Sequence, residues 1–376
     1  PDHAPAELPL QAVTAMDPVT HAASGALLML ALPKRPATAW AIPLACLAAA
    51  APDIDTFFCR SPELFLALHR GITHSLPALP LFSLILALAF RPLWRRGADD
   101  AFSFVGTWIF CAACVLLHIW LDCITTFGTM ILQPFSDLRG RLNGVFIVDL
   151  ILTVPLLVLT VCALRRKNAR RRLAAAGLIW IFLYPAGAIA ANHAHTATLR
   201  TELASEGISV REITIFPDVF SPFFWRAVSL QEKDGHFTVH EQSLDYRARP
   251  RAPEKVYPAL APSDASRLAS QSGLCRQFLN FLIMPVAVPL PPDNLKGSVL
   301  EGLENAEGFS SLLVYDLRFG SGLAFARAIM AKRPNANIPF RLMLILDRNG
   351  SLIQERLVFS DSRTDTGWLS AGPQKN

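Results

Sequence analysis

Residues 101–122 read AFSFVGTWIFCAACVLLHIWLD, a predominantly apolar run that ends in a histidine and an aspartate. A helix needs about 20 mainly apolar residues to cross the ~30 Å hydrocarbon core of a bilayer, and this stretch has that length. His118 and Asp122 are four residues apart, so on a helix they lie one turn apart on the same face. The stretch therefore predicts a membrane-spanning helix with two polar side chains at one end.

The composition around this stretch divides the chain into two parts. With 52% hydrophobic and 17% charged residues, the chain of 376 residues is more apolar than an ordinary soluble domain. The excess lies in the first half, which predicts a polytopic α-helical membrane domain. We expect about six membrane segments, some of them short, at 22–32, 39–51, 74–90, 101–121, 145–164 and 173–191.

Three regions follow from this division. We expect an Ala- and Pro-rich N-terminal extension at 1–16, a membrane-embedded domain at 17–195 and a soluble α+β domain at 196–376. In the last region, Asp234-Gly235 and Asn349-Gly350 are favoured hairpin turns between strand-like runs, which predicts an antiparallel sheet. A helix is expected at 263–284 and a Pro-rich loop at 286–292.

The net charge of +5 is concentrated in short loops between the apolar runs. Lys34-Arg35, Arg91 with Arg95-Arg96, and the basic run at 165–172 each fall at the tip of a predicted helical hairpin. Short basic loops stay in the cytoplasm, which places the opposite ends of the hairpins and the C-terminal domain outside the cytoplasm. The pattern favours a bacterial inner membrane protein, and it does not indicate a nucleic-acid partner.

Histidines and aspartates recur at the outer ends of the predicted membrane segments. Imidazole and carboxylate suit zinc and similar divalent metals, and ionisable groups at membrane depth are usually functional. A single such residue is more often an interfacial histidine or a helix N-cap, but several motifs converge on one face. We expect one or two divalent ions, with Zn²⁺ favoured, and seven candidate ligands: His21, Asp53, Asp55, His69, His74, His118 and Asp122.

Three further residues are candidates for supporting roles. Arg70 can hold the oxygens of an anionic substrate in a bidentate way, or it can be an interfacial anchor. Ser75, beside His74, and Asp149, one turn into an apolar run, are candidates to orient the ligand histidines.

Several motifs, in order, resemble a known family. They are Val19-Thr20-His21-Ala22, Pro52-Asp53-Ile54-Asp55, the run from His69 to Ser75, and His118 to Asp122 followed by Thr126-Phe127-Gly128-Thr129. Together they are similar to the YdjM-like family of predicted membrane-bound metal-dependent hydrolases of bacteria. The resemblance covers about residues 17–195 and implies an integral membrane hydrolase with these His and Asp residues as metal ligands.

The resulting hypothesis is a metal-dependent hydrolase whose site lies at the outer membrane face. Asp55 would act as general base and Arg70 would hold an ester or phosphoester substrate, either a small molecule or one derived from membrane lipid. Two alternatives remain. The polar cluster can serve an ion or proton pathway, or the chain can be a non-enzymatic membrane scaffold with an extracytoplasmic binding domain.

Overall fold

The structure is a computed structural model that describes residues 18–94, 103–301, 308–331, 339–359 and 365–371. The predicted extension at 1–16 and the basic pair Arg95-Arg96 lie outside the described residues. A helical first part is followed by a second part built on two antiparallel sheets, which confirms the order of the two predicted fold types.

The first part contains three helical hairpins, α1 with α2, α4 with α5, and α6 with α7, and a short α3 between the first two. Two 3-10 helices, Ala51–Phe57 and Ile72–His74, flank α3. The helices are α1 (Pro18–Ala31), α2 (Ala41–Ala50), α3 (Pro62–Leu68), α4 (Leu79–Trp94), α5 (Phe104–Cys123), α6 (Leu150–Arg165) and α7 (Arg170–Ser205).

The prediction of about six membrane segments is not supported. Among the described residues, two helical segments, α5 and Lys167–Ser205, are long and apolar enough to cross a membrane. A third is possible if α3 and α4, with a bend of 77° between them, count as one broken span. The helices α1, α2 and α6 have 14, 10 and 16 residues, and a full crossing needs about 20.

The basic tips of the first and third hairpins meet at one end of the bundle. Arg170 Nη2 donates a hydrogen bond to the carbonyl oxygen of Leu32 at 3.1 Å, and Arg171 Nε donates to that of Ala31. The helices pack through buried apolar side chains such as Leu27, Leu121 and Leu156. His118 and Asp122 lie in the last turns of α5, so the polar cluster forms at the end away from these tips.

The second part contains two antiparallel sheets in which each strand pairs with its neighbour in sequence. Both predicted hairpin turns are present, and Asp234 and Gly235 have the positive φ angles that such a turn requires. The first sheet is β1 (Val210–Pro217), β2 (Phe224–Lys233), β3 (His236–Asp245) and β4 (Lys255–Pro258). The second is β5 (Pro285–Pro289), β6 (Phe309–Asp316), β7 (Phe340–Asp347), β8 (Leu352–Phe359) and β9 (Leu369–Ser370).

Two local predictions for this part are wrong. The region 263–284 forms two helices, α8 (Pro262–Gln271) and α9 (Gly273–Phe281), because Ser272 is extended and its hydroxyl caps α9. The predicted loop at 286–292 begins as strand β5, where the edge position tolerates its prolines. A further helix, α10 (Ala324–Ala331), lies between β6 and β7.

The second part packs directly on the loops that carry the polar cluster. Phe65 and Phe127 from the first part share one buried core with Phe278, Leu342 and Phe359 from the second. This shared core packs the second part against α3 and against the segment that follows α5. The first part therefore depends on the second for the packing around its polar cluster.

Candidate metal centre

Three local structures bring the polar side chains together. A 3-10 helix that begins at Ala51 continues α2, with Pro52 in its first turn and Asp53 and Asp55 after it. His74 ends the second 3-10 helix. His118 and Asp122 lie one turn apart on α5, as their spacing predicts.

Four of the seven predicted ligands form one compact group. Oxygen atoms of Asp53 and Asp122 and the Nε2 atoms of His74 and His118 all lie within 4.8 Å of one another. The two Nε2 atoms lie 3.0 Å apart, and the four distances from these nitrogens to the Asp53 and Asp122 oxygens are 3.2, 3.5, 3.6 and 3.7 Å. A tetrahedral ion with bonds of about 2.0–2.1 Å would hold its ligand atoms about 3.3–3.4 Å apart. The group therefore has the size of one divalent metal site.

Charge and hydrogen bonding also fit a cation at this point. Asp53, Asp55 and Asp122 face one contacting guanidinium, that of Arg70, so neutral histidines leave an excess of two negative charges. The grouped oxygen of Asp53 is buried without a hydrogen-bond partner among the described residues, and that of Asp122 contacts Arg70 Nε at 3.0 Å as an ion pair without an aligned hydrogen bond. Each such atom costs about 1–3 kcal/mol unless something compensates it. A divalent cation would neutralise the excess and satisfy these oxygens.

The two histidines of the group have their second ring nitrogens occupied. His118 Nδ1 lies 2.7 Å from the carbonyl oxygen of Ala49, so it donates to this acceptor. His74 Nδ1 lies 2.9 Å from Thr73 Oγ1 and 3.4 Å from Asp55 Oδ2. With a proton on Nδ1, each Nε2 keeps its lone pair for a metal, which is the usual arrangement around metal-binding histidines.

Asp55 and His69 lie beside the group rather than in it. Asp55 Oδ1 is 3.0 Å from His69 Nδ1, and Asp55 Oδ2 accepts hydrogen bonds from the backbone N–H of Arg70 and the hydroxyl of Thr73. Both carboxylate oxygens are thus occupied. Asp55, expected as a ligand and base, instead holds His69, Arg70 and His74 in place around the centre.

His21 contacts two members of the group. Its ring stacks on His118 with 3.9 Å between centroids, and its Nε2 is 3.4 Å from Asp122 Oδ1. Neither ring nitrogen of His21 has a hydrogen-bond partner among the described residues. Asp122 therefore faces the group with one oxygen and His21 with the other.

Arg70 is buried against the centre instead of facing solvent. Its Nε is 3.0 Å from Asp122 Oδ2, its Nη1 donates to Thr125 Oγ1, and its guanidinium stacks on Phe127 at 4.7 Å. The side chain has no exposed surface. Its contacts support a role in balancing the charge of Asp122, and they leave no accessible face for a substrate.

Ser75 and Asp149 do not contact the ligand histidines. Ser75 Oγ donates to the carbonyl oxygen of Gln133, which fixes the loop after α5. Asp149 caps α6 and accepts hydrogen bonds from Tyr184 and from Ser221 in the second part. We expected both residues to orient the ligand histidines, but each forms its hydrogen bonds elsewhere.

Sequence reasoning did not single out Thr73, Phe127 or the carbonyl of Ala49 as parts of the centre. Thr73 and Phe127 lie inside the quoted motifs, so their position was a signal that could have found them. The role of the Ala49 carbonyl could not be predicted in this way, because a backbone acceptor does not depend on the type of side chain.

Asp53 is the group member with access to solvent. Its side chain is 17% exposed, whereas His74, His118 and Asp122 have none of their surface exposed. Asp53 therefore lies at the entrance of the centre.

Comparison with known proteins agrees with this region. Residues 16–195 match the model of the YdjM inner membrane protein family. An uncharacterized protein, YfhP of Bacillus subtilis (strain 168), is 37% identical over 103 residues. The aligned stretch is 27% of this chain and 30% of that relative, so it spans under a third of either. No solved structure matches. The matched residues, 16–195, contain the whole His and Asp cluster, so the cluster lies in the part of the chain that is similar to the YdjM inner membrane protein family.

Proposed function

We propose that the chain is a membrane-bound metal-dependent hydrolase with one divalent ion, Zn²⁺ by preference, held by Asp53, His74, His118 and Asp122. The observation that carries the proposal is the convergence of these four ligand atoms within 4.8 Å. Such an ion supplies a Lewis acid that polarises an ester or phosphoester and lowers the pKa of water.

Three of the ligand side chains are held in place, and the fourth can act on water. Asp122 is held by Arg70, and His74 and His118 are held through their Nδ1 atoms, so these three form the rigid part of the centre. Asp53 lies at the solvent side and uses one oxygen in the group, which leaves the other to accept a proton from water. Both oxygens of Asp55 already accept hydrogen bonds or contact His69, so we assign the base to Asp53 instead.

The surroundings of Asp53 favour an apolar substrate. Ile54, Phe57 and Phe58 beside it are 47%, 71% and 62% exposed. A cluster of exposed apolar residues typically marks an interaction site. We therefore favour an ester or phosphoester carried by a membrane lipid, reached from the extracytoplasmic face. The basic hairpin tips at the other end of the bundle support this orientation.

A second function is favoured by the ligand count. Catalytic zinc sites usually have three protein ligands and an open position, whereas four protein ligands are typical of structural sites. Here four are present, and three are fully buried. The alternative is thus a structural metal that joins α5 to the segments after α2 and α3. The protein would then be a scaffold that presents its second part to extracytoplasmic partners.

Metal content and turnover together test the proposal. We would measure the metals in purified full-length protein by elemental analysis for wild type, His74→Ala and Asp122→Asn. The control is His193→Ala, an exposed histidine on α7. We expect about one ion per chain in wild type and control, and none in the two variants. Metal-loaded wild type should then hydrolyse members of an ester and phosphoester panel.

Each result separates the two functions. Turnover that disappears when the ion is removed by chelation and returns when Zn²⁺ is restored would support catalysis. A bound ion without turnover, together with a large fall in thermal stability on chelation, would support the structural role. Wild-type protein that is purified without chelator and contains no metal would contradict both.

A further inference from the structure

A cavity of about 710 Å³ lies between the two parts of the chain. One wall comes from Leu66, Ala67 and the segment 130–141, and the other comes from α9 and Leu282. Ligand sites commonly have volumes of about 300–1,000 Å³ and often occur at domain interfaces. No member of the four-residue metal group lines this cavity, so it is a separate site.

The polar lining favours an anion. Arg139 is fixed by hydrogen bonds from Nη1 to the carbonyl oxygens of His69 and Gly128 and from Nη2 to that of Leu66, which do not neutralise its charge and leave Nε and one N–H of Nη2 for a ligand. Arg141 is half-buried and forms no ion pair within 4 Å among the described residues; the carboxylates that act on it from farther away are Glu212 and Asp316, and Asp316 is already paired with Arg318. Asp137, the carboxylate among the lining residues, already accepts a hydrogen bond from Gln133 at 2.9 Å.

One lining side chain of α9 can complete an anion site, and a second anchors this helix beside the cavity. Asn280 is exposed on the second wall, and its amide N–H₂ can donate to a ligand oxygen. Gln277 donates to the carbonyl oxygen of Glu63, which anchors α9 beside the cavity. The two guanidinium groups and the amide suit a phosphate, because guanidinium groups bind phosphate oxygens through paired N–H donors.

The segment 130–142, which supplies the first wall and is called here the apolar rim, carries several exposed apolar side chains, of which Leu138 lines the cavity itself. Phe135 and Leu138 are 83% and 75% exposed, and Leu132 and Leu142 in the same segment are 46% and 38% exposed. Single exposed apolar residues are ordinary, but a contiguous group marks an interaction surface. The segment follows shortly after the end of α5, a helix long enough to cross a membrane. If α5 crosses a bilayer, this segment lies at the depth of the lipid headgroups.

We infer that this cavity binds the headgroup of an anionic phospholipid. Arg139 and Arg141 contact the phosphate, and Phe135 and Leu138 lie along the acyl chains. The apolar rim distinguishes a lipid from free phosphate, since a small anion would gain nothing from it. The inference does not depend on hydrolysis, because the binding groups lie outside the metal centre.

Lipid binding to the full-length protein in detergent tests this inference. We would titrate phosphatidylglycerol, phosphatidylcholine and inorganic phosphate, and count bound molecules by native mass spectrometry. The variants are Arg141→Gln and Leu138→Ser, both at positions with exposed surface that should tolerate the change. The matched control is Arg200→Gln, which removes the same charge from an exposed position on α7.

We expect phosphatidylglycerol to bind saturably and more tightly than phosphatidylcholine. Arg141→Gln should weaken this binding about tenfold, the effect of one charge-assisted contact, and Arg200→Gln should not. Leu138→Ser should weaken the binding of phosphatidylglycerol and leave the binding of inorganic phosphate unchanged. Equal binding of the two lipids, equal effects of the two arginine variants, or phosphate binding as tight as that of the lipid would each overturn the inference.

Discussion

His118 Nδ1 lies 2.7 Å from the carbonyl oxygen of Ala49, across the contact between α5 and α2. This carbonyl is available because the chain tightens to a 3-10 helix after Ala50, where its partner would be the N–H of Pro52. Proline has no N–H, so the acceptor is left for the histidine. Pro52, the first residue of the Pro-Asp-Ile-Asp motif, thus sets which nitrogen of His118 faces the metal group.

The two aspartates of the Pro-Asp-Ile-Asp motif should respond differently to the same change. Asp53→Asn removes a charged ligand and should abolish stoichiometric metal binding. Asp55→Asn weakens the acceptor that holds His74 and His69, and should lower metal affinity by about 10–100-fold, as loss of such supporting contacts does. Competition with a fluorescent zinc chelator measures both. A larger effect of Asp55→Asn than of Asp53→Asn would contradict the arrangement described.

Gly25 allows the close approach of α1 to α2 that places Ala49. A Cβ atom at this position would lie 2.1 Å from the carbonyl oxygen of Ala45 and 2.8 Å from the Cβ of Ala49. Gly25→Ala should destabilise the protein by about 1–3 kcal/mol through overpacking, and should also weaken metal binding.

Gly187→Ala is the matched control for this change, since a Cβ there meets nothing within 4 Å on α7. It should be neutral or slightly stabilising, because alanine favours a helix by about 1 kcal/mol over glycine. Thermal unfolding in one detergent compares the two. If both variants unfold at the wild-type temperature, the tight crossing is not required.

A buried ion pair in the second part should make stability depend on acid pH. Arg226 Nη1 donates to Glu241 Oε1 at 2.7 Å. Burial raises the pKa of Glu241, but the charge and hydrogen bond of Arg226 outweigh it and lower the pKa below its usual range. The unfolded chain, with a pKa near 4.3, then binds the proton first. Stability from this pair is present above about pH 5 and is lost as the pH falls through the folded pKa.

Replacing Glu241 should remove this acid dependence and leave Arg226 buried without its counter-charge. We expect Glu241→Gln to cost about 3–5 kcal/mol near neutral pH, and less at pH 3. Glu232→Gln is the control, because its pair with the exposed Arg211 should contribute about 0–1 kcal/mol. Denaturant unfolding at both pH values measures the difference. An equal loss at pH 7 and pH 3 would contradict the assignment.

Phe127 should couple the second part of the chain to the metal centre. Its ring contacts His69 and the guanidinium of Arg70, and on its other side it packs against Phe281 and Phe340. Phe127→Ala should destabilise the protein by about 3–5 kcal/mol and weaken metal binding, because it loosens the segment that holds Arg70.

The control for Phe127→Ala is Phe309→Ala, a phenylalanine that is 43% exposed on β6. It should change stability by less than about 1 kcal/mol and leave metal binding unchanged. Limited proteolysis of the segment 59–68, which includes α3, with and without added zinc, measures the coupling. Phe127→Ala protein with wild-type metal affinity would show that the centre is independent of the second part.

Local patterns in the sequence were sufficient to predict the helical hairpins, several strands and the end of the bundle at which the polar residues meet. Apolar runs separated by basic tips specify hairpins, and Asp-Gly and Asn-Gly specify tight turns, because both depend on near neighbours. The number of membrane segments was overestimated. Apolar composition alone does not distinguish a short helix packed in a bundle from one that crosses a membrane.

By itself, the sequence determined the set of seven candidate ligands and, through the i and i+4 spacing, the pairing of His118 with Asp122. The tertiary structure decided which four converge. Asp53 and Asp55 are two residues apart on a 3-10 helix with three residues per turn, so their side chains point about 120° apart and one alone can face the group. That direction, like the packing of Phe127 under the second part, depends on contacts between segments distant in sequence, which no local pattern records.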